Sequence, residues 1–155
     1  MQILKKTTGI ALSLISALAL GNTSANAIHI GVSPPRVEVK IQDKSRSKTI
    51  KIANFDKKPV EMRAYVRSWT VGKDGKLQLI KSTAQTLDQW IVFTPSRFTI
   101  PAGGTQTVRF AIRPKVEPTP GEHRAMLYLE EIPSQESINS KTVRTVGRLG
   151  VAIYG

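Results

Sequence analysis

The strictest constraint on this chain is a two-residue rhythm. In "TVRFAIRP", Val108, Phe110 and Ile112 alternate with Arg109, Ala111 and Arg113. Side chains two apart share one face of an extended strand but no face of a helix, so such a segment becomes a half-buried strand. The rhythm recurs in Val37, Val39 and Ile41 against Arg36, Glu38 and Lys40, and in Ile50 and Ile52 around Lys51. It recurs again in Val60, Met62, Ala64 and Val66 opposite Glu61, Arg63, Tyr65 and Arg67. "WIVFTPSRFTIP" reads as a further extended stretch interrupted by Pro95, and "RAMLYLEEI" as another. Turn chemistry separates them: "NFDKKP", "KDGK" with its hairpin pair Asp74-Gly75, the tight turn "PAGGT", the Pro-rich "PKVEPTPGE" and the polar "PSQESINSK". Seven to eight short strands without a helical period predict an all-β fold, a small antiparallel sandwich or barrel.

The first residues read differently. Lys5 and Lys6, the apolar run from Thr8 to Leu20 and the small-x-small triplet Ala25-Asn26-Ala27 have the pattern of a secretory signal peptide cleaved after Ala27. The apolar run is shorter than the ~20 residues needed to span a bilayer. The mature chain, 28–155, is then an exported single domain with no integral membrane segment. It contains no cysteine, so its stability comes from packing and backbone pairing, and thiolate chemistry is excluded. The net charge of +12 favours an acidic partner. Basic residues are spread along the chain without interleaved aromatics, which does not suit nucleic acid.

Nothing in the sequence assembles a catalytic site. His29 and His123 are the only histidines, lack a local metal-ligand spacing, and are expected as solvated surface. No serine sits in a G-x-S-x-G elbow. Glu130 and Glu131 are adjacent on a strand and point to opposite faces. No enzyme activity, metal or cofactor is expected.

The last stretch, "GRLGVAIYG", is unusual because neither face suits water. Leu149, Val151 and Ile153 share one face, and Gly150, Ala152 and Tyr154 the other. Such a strand fits with one face in its own core and the other against a partner.

Four stretches, in order along the mature chain, carry a family resemblance: "VSPPRVEVK", "IKIANFDKKPVEMRAYV", "FTPSRFTIPAGGTQTVRF" and "MLYLEEIP". Together they resemble the N-terminal domain of the PapD-like periplasmic pilus (fimbrial) chaperones. The resemblance implies an immunoglobulin-like antiparallel β-sandwich and a periplasmic or cell-surface location. It also implies pilin-like subunits as clients, with an outer-membrane usher as a further partner. In that family the last strand completes the sheet of an unfinished subunit, which is strand addition at an exposed edge.

The resemblance implies a client-binding set as well. Arg36 matches the first-strand arginine that holds a subunit's C-terminal carboxylate. The family's last-strand lysine falls at Val151, and Arg148, the nearest basic residue, replaces it only if a bulge intervenes. The donor positions fall at Thr142, Arg144 and Val146, of which only Val146 is apolar. Leu149, Val151 and Ile153 form the nearest apolar triplet and fit the core equally well. The strand from Thr142 to Tyr154 is thus expected to pair with a client. An apolar open edge also predicts self-association through the last strand. Family members usually carry a second immunoglobulin-like domain; none is expected here. The rival reading is a secreted immunoglobulin-like structural component of a surface assembly without chaperone activity.

Overall fold

A computed structural model describes residues 29–43, 47–135, 138 and 146–155. Ten strands follow one another: β1 (Ile30–Ser33), β2 (Arg36–Glu38), β3 (Ser47–Asn54), β4 (Val60–Val71), β5 (Leu77–Leu79), β6 (Ile91–Thr94), β7 (Arg97–Ile100), β8 (Thr105–Ile112), β9 (Arg124–Glu131) and β10 (Arg148–Tyr154). They form two sheets. One has the order β1-β3-β8-β6; the other runs β2-β10-β9-β4-β5, with β7 also paired to β4. Every pairing is antiparallel except that of β10 with β2. This is the all-β sandwich that the two-residue rhythm predicts.

Proline explains the larger strand number. The run through Pro95 is cut into β6, in the first sheet, and β7, in the second, with a cis Thr94–Pro95 bond between them. The segment before Arg36 is likewise divided at the cis Ser33–Pro34 bond, so that β1 borders β3 and β2 borders β10. Proline supplies no ladder N–H, so a strand stops pairing where one occurs. Ile41 lies beyond β2 in a turn, but the alternation of burial reaches it.

The core is the set of inward residues that alternation singles out. Ile50, Ile52, Val108, Phe110 and Ile112 from one sheet meet Met62, Ala64, Leu127, Leu129, Val151 and Ile153 from the other. Leu87 and Trp90, in and beside a short 3-10 turn (Leu87–Gln89), are also buried with this core. Two polar plugs hold the loops. Buried Asn54 donates through Nδ2 to the carbonyls of Lys58 (2.8 Å), Ile100 and Pro101 (3.2 Å each), and its Oδ1 accepts the Asp56 N–H. The Asp88 carboxylate accepts from Ser68 and Ser82 and ties the 3-10 turn to β4.

His123 departs from the expected solvated state. Its ring lies 4.8 Å from that of Trp90, with the ring nitrogens 3.1 Å from the Gln85 carbonyl oxygen and 2.9 Å from that of Thr119. It secures the Pro-rich loop to the sandwich, and His29 is exposed.

Candidate functional site

β10 is an interior strand for half its length and an edge strand for the other half. On one side it pairs with β9 from Arg148 to Tyr154. On the other, β2 covers only Ala152 to Tyr154. Among the described residues, nothing pairs with Arg148–Val151 on that side.

The direction of each backbone group follows from alternation. In an antiparallel pair, hydrogen-bonded partners recur every second residue. The Glu131 N–H donates to the Gly147 carbonyl, and Gly155 and His123 exchange both bonds. The same register makes Leu149, Val151 and Ile153 the residues whose main chain engages β9. Arg148, Gly150, Ala152 and Tyr154 therefore turn their N–H and C=O groups the other way. Ala152 and Tyr154 satisfy theirs on the β2 side, the Ala152 N–H donating to Pro35 and the Tyr154 carbonyl accepting from Val39. Those of Arg148 and Gly150 point to an open edge.

This geometry sorts the expected site residues. Val151 and Ile153 are 0% exposed and direct their main chain to β9, so the core interpretation holds for both and neither faces a partner. Leu149 is half-buried on the same inner face. Val146, just before β10, is exposed. Arg36 and Arg148 share the outer face, because Arg36 is in register with Ala152, four residues along β10 from Arg148. The regular strand, without a bulge, thus brings both arginines to one side. Thr142 and Arg144 lie outside the described residues. The expectation that the strand pairs with a partner as far as Tyr154 is corrected: β2 already occupies Ala152–Tyr154, and within β10 the open stretch is Arg148–Val151.

The outer face around this edge holds residues that alternation did not single out as a site. Arg148 is in register with Glu130 on β9, which is in register with Arg63 on β4. Glu130 is committed: Arg63 binds Oε1 through Nε and Nη2, and the Tyr65 hydroxyl donates to Oε2 at 2.8 Å. Arg63 first, and Tyr65 second, hold the Glu130 carboxyl below the usual carboxylate range. Among the described residues, Arg148 donates to the Tyr65 hydroxyl (3.3 Å) and lies over the Tyr128 ring at 5.1 Å. Tyr65 and Tyr128 stack at 5.2 Å. One step further along, Gly150 has no side chain, and a Cβ there would come within 2.7 Å of the Met126 sulfur. Arg36 bounds the far end, bonded to Glu38 (2.6 Å) and lying 4.2 Å over the Tyr154 ring. An open cleft lined by Arg63, Arg97, Glu130, Pro133, Val146 and Arg148 adjoins the near end. The arrangement sets backbone groups that have no partner among the described residues between two exposed guanidinium groups, chemistry that suits an extended anionic chain.

Comparison with known proteins bears on this surface. Residues 31–152 match the family model described as pili and flagellar-assembly chaperone, PapD N-terminal domain. No curated protein matches the chain. Among solved structures, a chaperone–tip adhesin complex described as vital for synergistic activation of CFA/I fimbriae biogenesis aligns with a TM-score of 0.62 at 14% identity, over 81% of this chain and 54% of that one. A structure of the Salmonella enterica SafA pilin in complex with the SafB chaperone aligns at 0.59 and 14% identity, over 84% and 55%. PapD-like domain 7 of human CEP192 aligns at 0.56 and 12% identity, over 94% and 96%. At these identities the likeness is one of fold. The chain spans about half the length of the fimbrial chaperone chains it aligns with.

Proposed function

The chain belongs to the family of pili and flagellar-assembly chaperones as a PapD N-terminal domain, and on that premise we propose that it captures an extended segment of a pilin-like subunit along the open half of β10. The single observation that carries this reading is the edge itself: among the described residues, nothing pairs with the outward N–H and C=O groups of Arg148 and Gly150 in an otherwise paired strand. A buried sheet margin leaves such groups satisfied, so an open one is a template for another strand.

The geometry limits what can add. A strand laid beside Arg148–Val151 continues the row that β2 occupies and meets Pro35 and Arg36 at its end. In this reading Arg36, which already binds Glu38 Oε1, also receives the client carboxylate there. Four backbone hydrogen bonds at about 1 kcal/mol net each give about 4 kcal/mol, which alone corresponds to millimolar affinity. Side-chain burial must supply the rest, and exposed Val146 is the nearest apolar contributor on this chain. Export through the 1–27 signal peptide into the periplasm belongs to the same proposal, as does handover of the client to an outer-membrane usher. The family membership favours this reading over a structural component of a surface assembly.

The test uses the whole mature chain and a C-terminal peptide of a pilin encoded beside it. Fluorescence anisotropy should show saturable binding, and Arg36→Ala should weaken it by 1.5–3 kcal/mol, the range for a hydrogen bond to a charged group, or roughly 10- to 150-fold. Unchanged affinity in the variant, or no binding to the parent chain, refutes the proposal.

A further inference from the structure

The row of outer-face positions beside the open edge reads Arg148, Gly150, Ala152, spaced by about 6.6 Å as alternate strand residues are. A strand added to that edge sets its own outer side chains opposite them, with Cβ separations of ~5 Å. What each position lacks defines what fits there.

Beside Arg148 the missing element is an anion. Among the described residues this guanidinium makes no ion pair, because the neighbouring carboxylate, Glu130, is already bound by Arg63 and Tyr65. Its aim is fixed nonetheless: Tyr65 accepts its hydrogen bond and Tyr128 lies beneath it. A preset charge that Glu130 offsets only at longer range, without a direct ion pair, discriminates between acidic and basic neighbours. Beside Gly150 the Met126 thioether lies over the bare backbone, and the missing element is an apolar cover for it. The glycine and Ala152 leave a low stretch floored by the Met126 thioether and the edge of Tyr128, with a hypothetical Gly150 Cβ only 2.7 Å from the Met126 sulfur and 3.6 Å from a Tyr128 ring carbon. A bare strand glycine marks a place for close approach, and an aromatic side chain laid across it covers both backbone and thioether.

We infer that the open edge of β10 selects a client segment carrying an acidic residue opposite Arg148 and an aromatic residue opposite Gly150, two positions apart on the same face. This rests on the strand-addition reading above and adds side-chain specificity to it. The spacing is two residues whichever way the client runs. A second copy docking by the same edge brings another Arg148 and no acid, so charge complementarity points to a different chain.

The experiment compares four short peptides of alternating Thr and Val that differ only at two same-face positions: Phe with Asp, Phe with Lys, Ala with Asp, and Ala with Lys. Anisotropy gives their affinities for the mature chain and for Arg148→Glu, a change at an exposed side chain. The Phe/Asp peptide should bind tightest. Replacing Asp by Lys should weaken binding by about fivefold to thirtyfold, and replacing Phe by Ala by about fivefold, from the range of cross-strand pair energies. Arg148→Glu should reverse the Asp/Lys order and leave the Phe/Ala order intact. An unreversed order, or equal binding of Phe and Ala peptides, overturns the inference. Amide hydrogen exchange separates the two levels. Slowed exchange at Arg148 and Gly150 with all four peptides bound equally keeps strand addition and sinks the selectivity. No slowing with any peptide removes both. Protection that rises with protein concentration and no peptide assigns the edge to a second copy and also overturns the inference.

Discussion

Paired proline substitutions test the division of β10 directly. Leu149 and Gly150 are neighbours in one strand, but the Leu149 N–H faces β9 and the Gly150 N–H faces the open side. Leu149→Pro removes a ladder donor and leaves the carbonyl of Leu129, a residue at 0% exposure, without its partner. The lost bond costs about 0.5–1.5 kcal/mol and the orphaned buried acceptor about 1–3 kcal/mol, together about 1.5–4.5 kcal/mol. Gly150→Pro removes a donor that has no partner among the described residues, and ring strain, common to both variants, cancels in the comparison. The one local cost at Gly150 is displacement of Met126, whose flexible side chain can swing aside; a Gly150→Ala control measures it. With a urea dependence of about 2 kcal/mol per molar, the Leu149→Pro midpoint should lie roughly 1–2 M below that of Gly150→Pro. Intrinsic tryptophan fluorescence follows the transition. Coincident midpoints would mean that the Gly150 N–H is as engaged as its neighbour, and the open edge would not exist.

Three further outcomes follow from the packing. Asn54→Ala should cost about 2–4 kcal/mol, because three carbonyls lose a shared donor inside the fold, and calorimetry should show a fall in Tm of roughly 10 °C. Phe110→Ala, deep between the sheets, should cost about 3–5 kcal/mol in chemical denaturation. Burial raises the Asp88 carboxyl, but hydrogen bonds from Ser82, Thr86, Ser68 and Gln89 outweigh it and leave it below its unfolded value of 3.8. Its stabilisation is therefore present above pH 3.8 and lost as the pH falls through the lower folded value. Denaturation midpoints measured across that acid range should fall less steeply for Asp88→Asn than for the parent chain.

Alternation made the strands and much of the core legible, since burial follows the same period as the sequence. It named Val108, Phe110 and Ile112 as inward, and they are. Neighbour relations were not legible, because pairing joins residues far apart in the chain. Tyr65 was visible as outward-facing, but only register places it between Glu130 and Arg148. Trp69 breaks the pattern: it lies on the outer face yet is buried, with Tyr154 edge-on at 5.8 Å and Arg124 above its ring. His123 was misjudged for a similar reason, since its stacking partner Trp90 comes from a distant loop. The greasy look of the last strand had two causes that sequence alone merges. Val151 and Ile153 are apolar because they fill the core, and Gly150 is bare because the Met126 side chain lies over it.

The brief β2 segment, three residues held in register against β10, would on the strand-addition proposal work as a stopper on an adhesive strip. Its length fixes how much sticky backbone the molecule leaves on display. A longer stopper would make the domain inert and easily soluble; a shorter one would widen the strip and invite indiscriminate clumping. On that proposal, the crossing at Pro34 would set a compromise between grip and solubility.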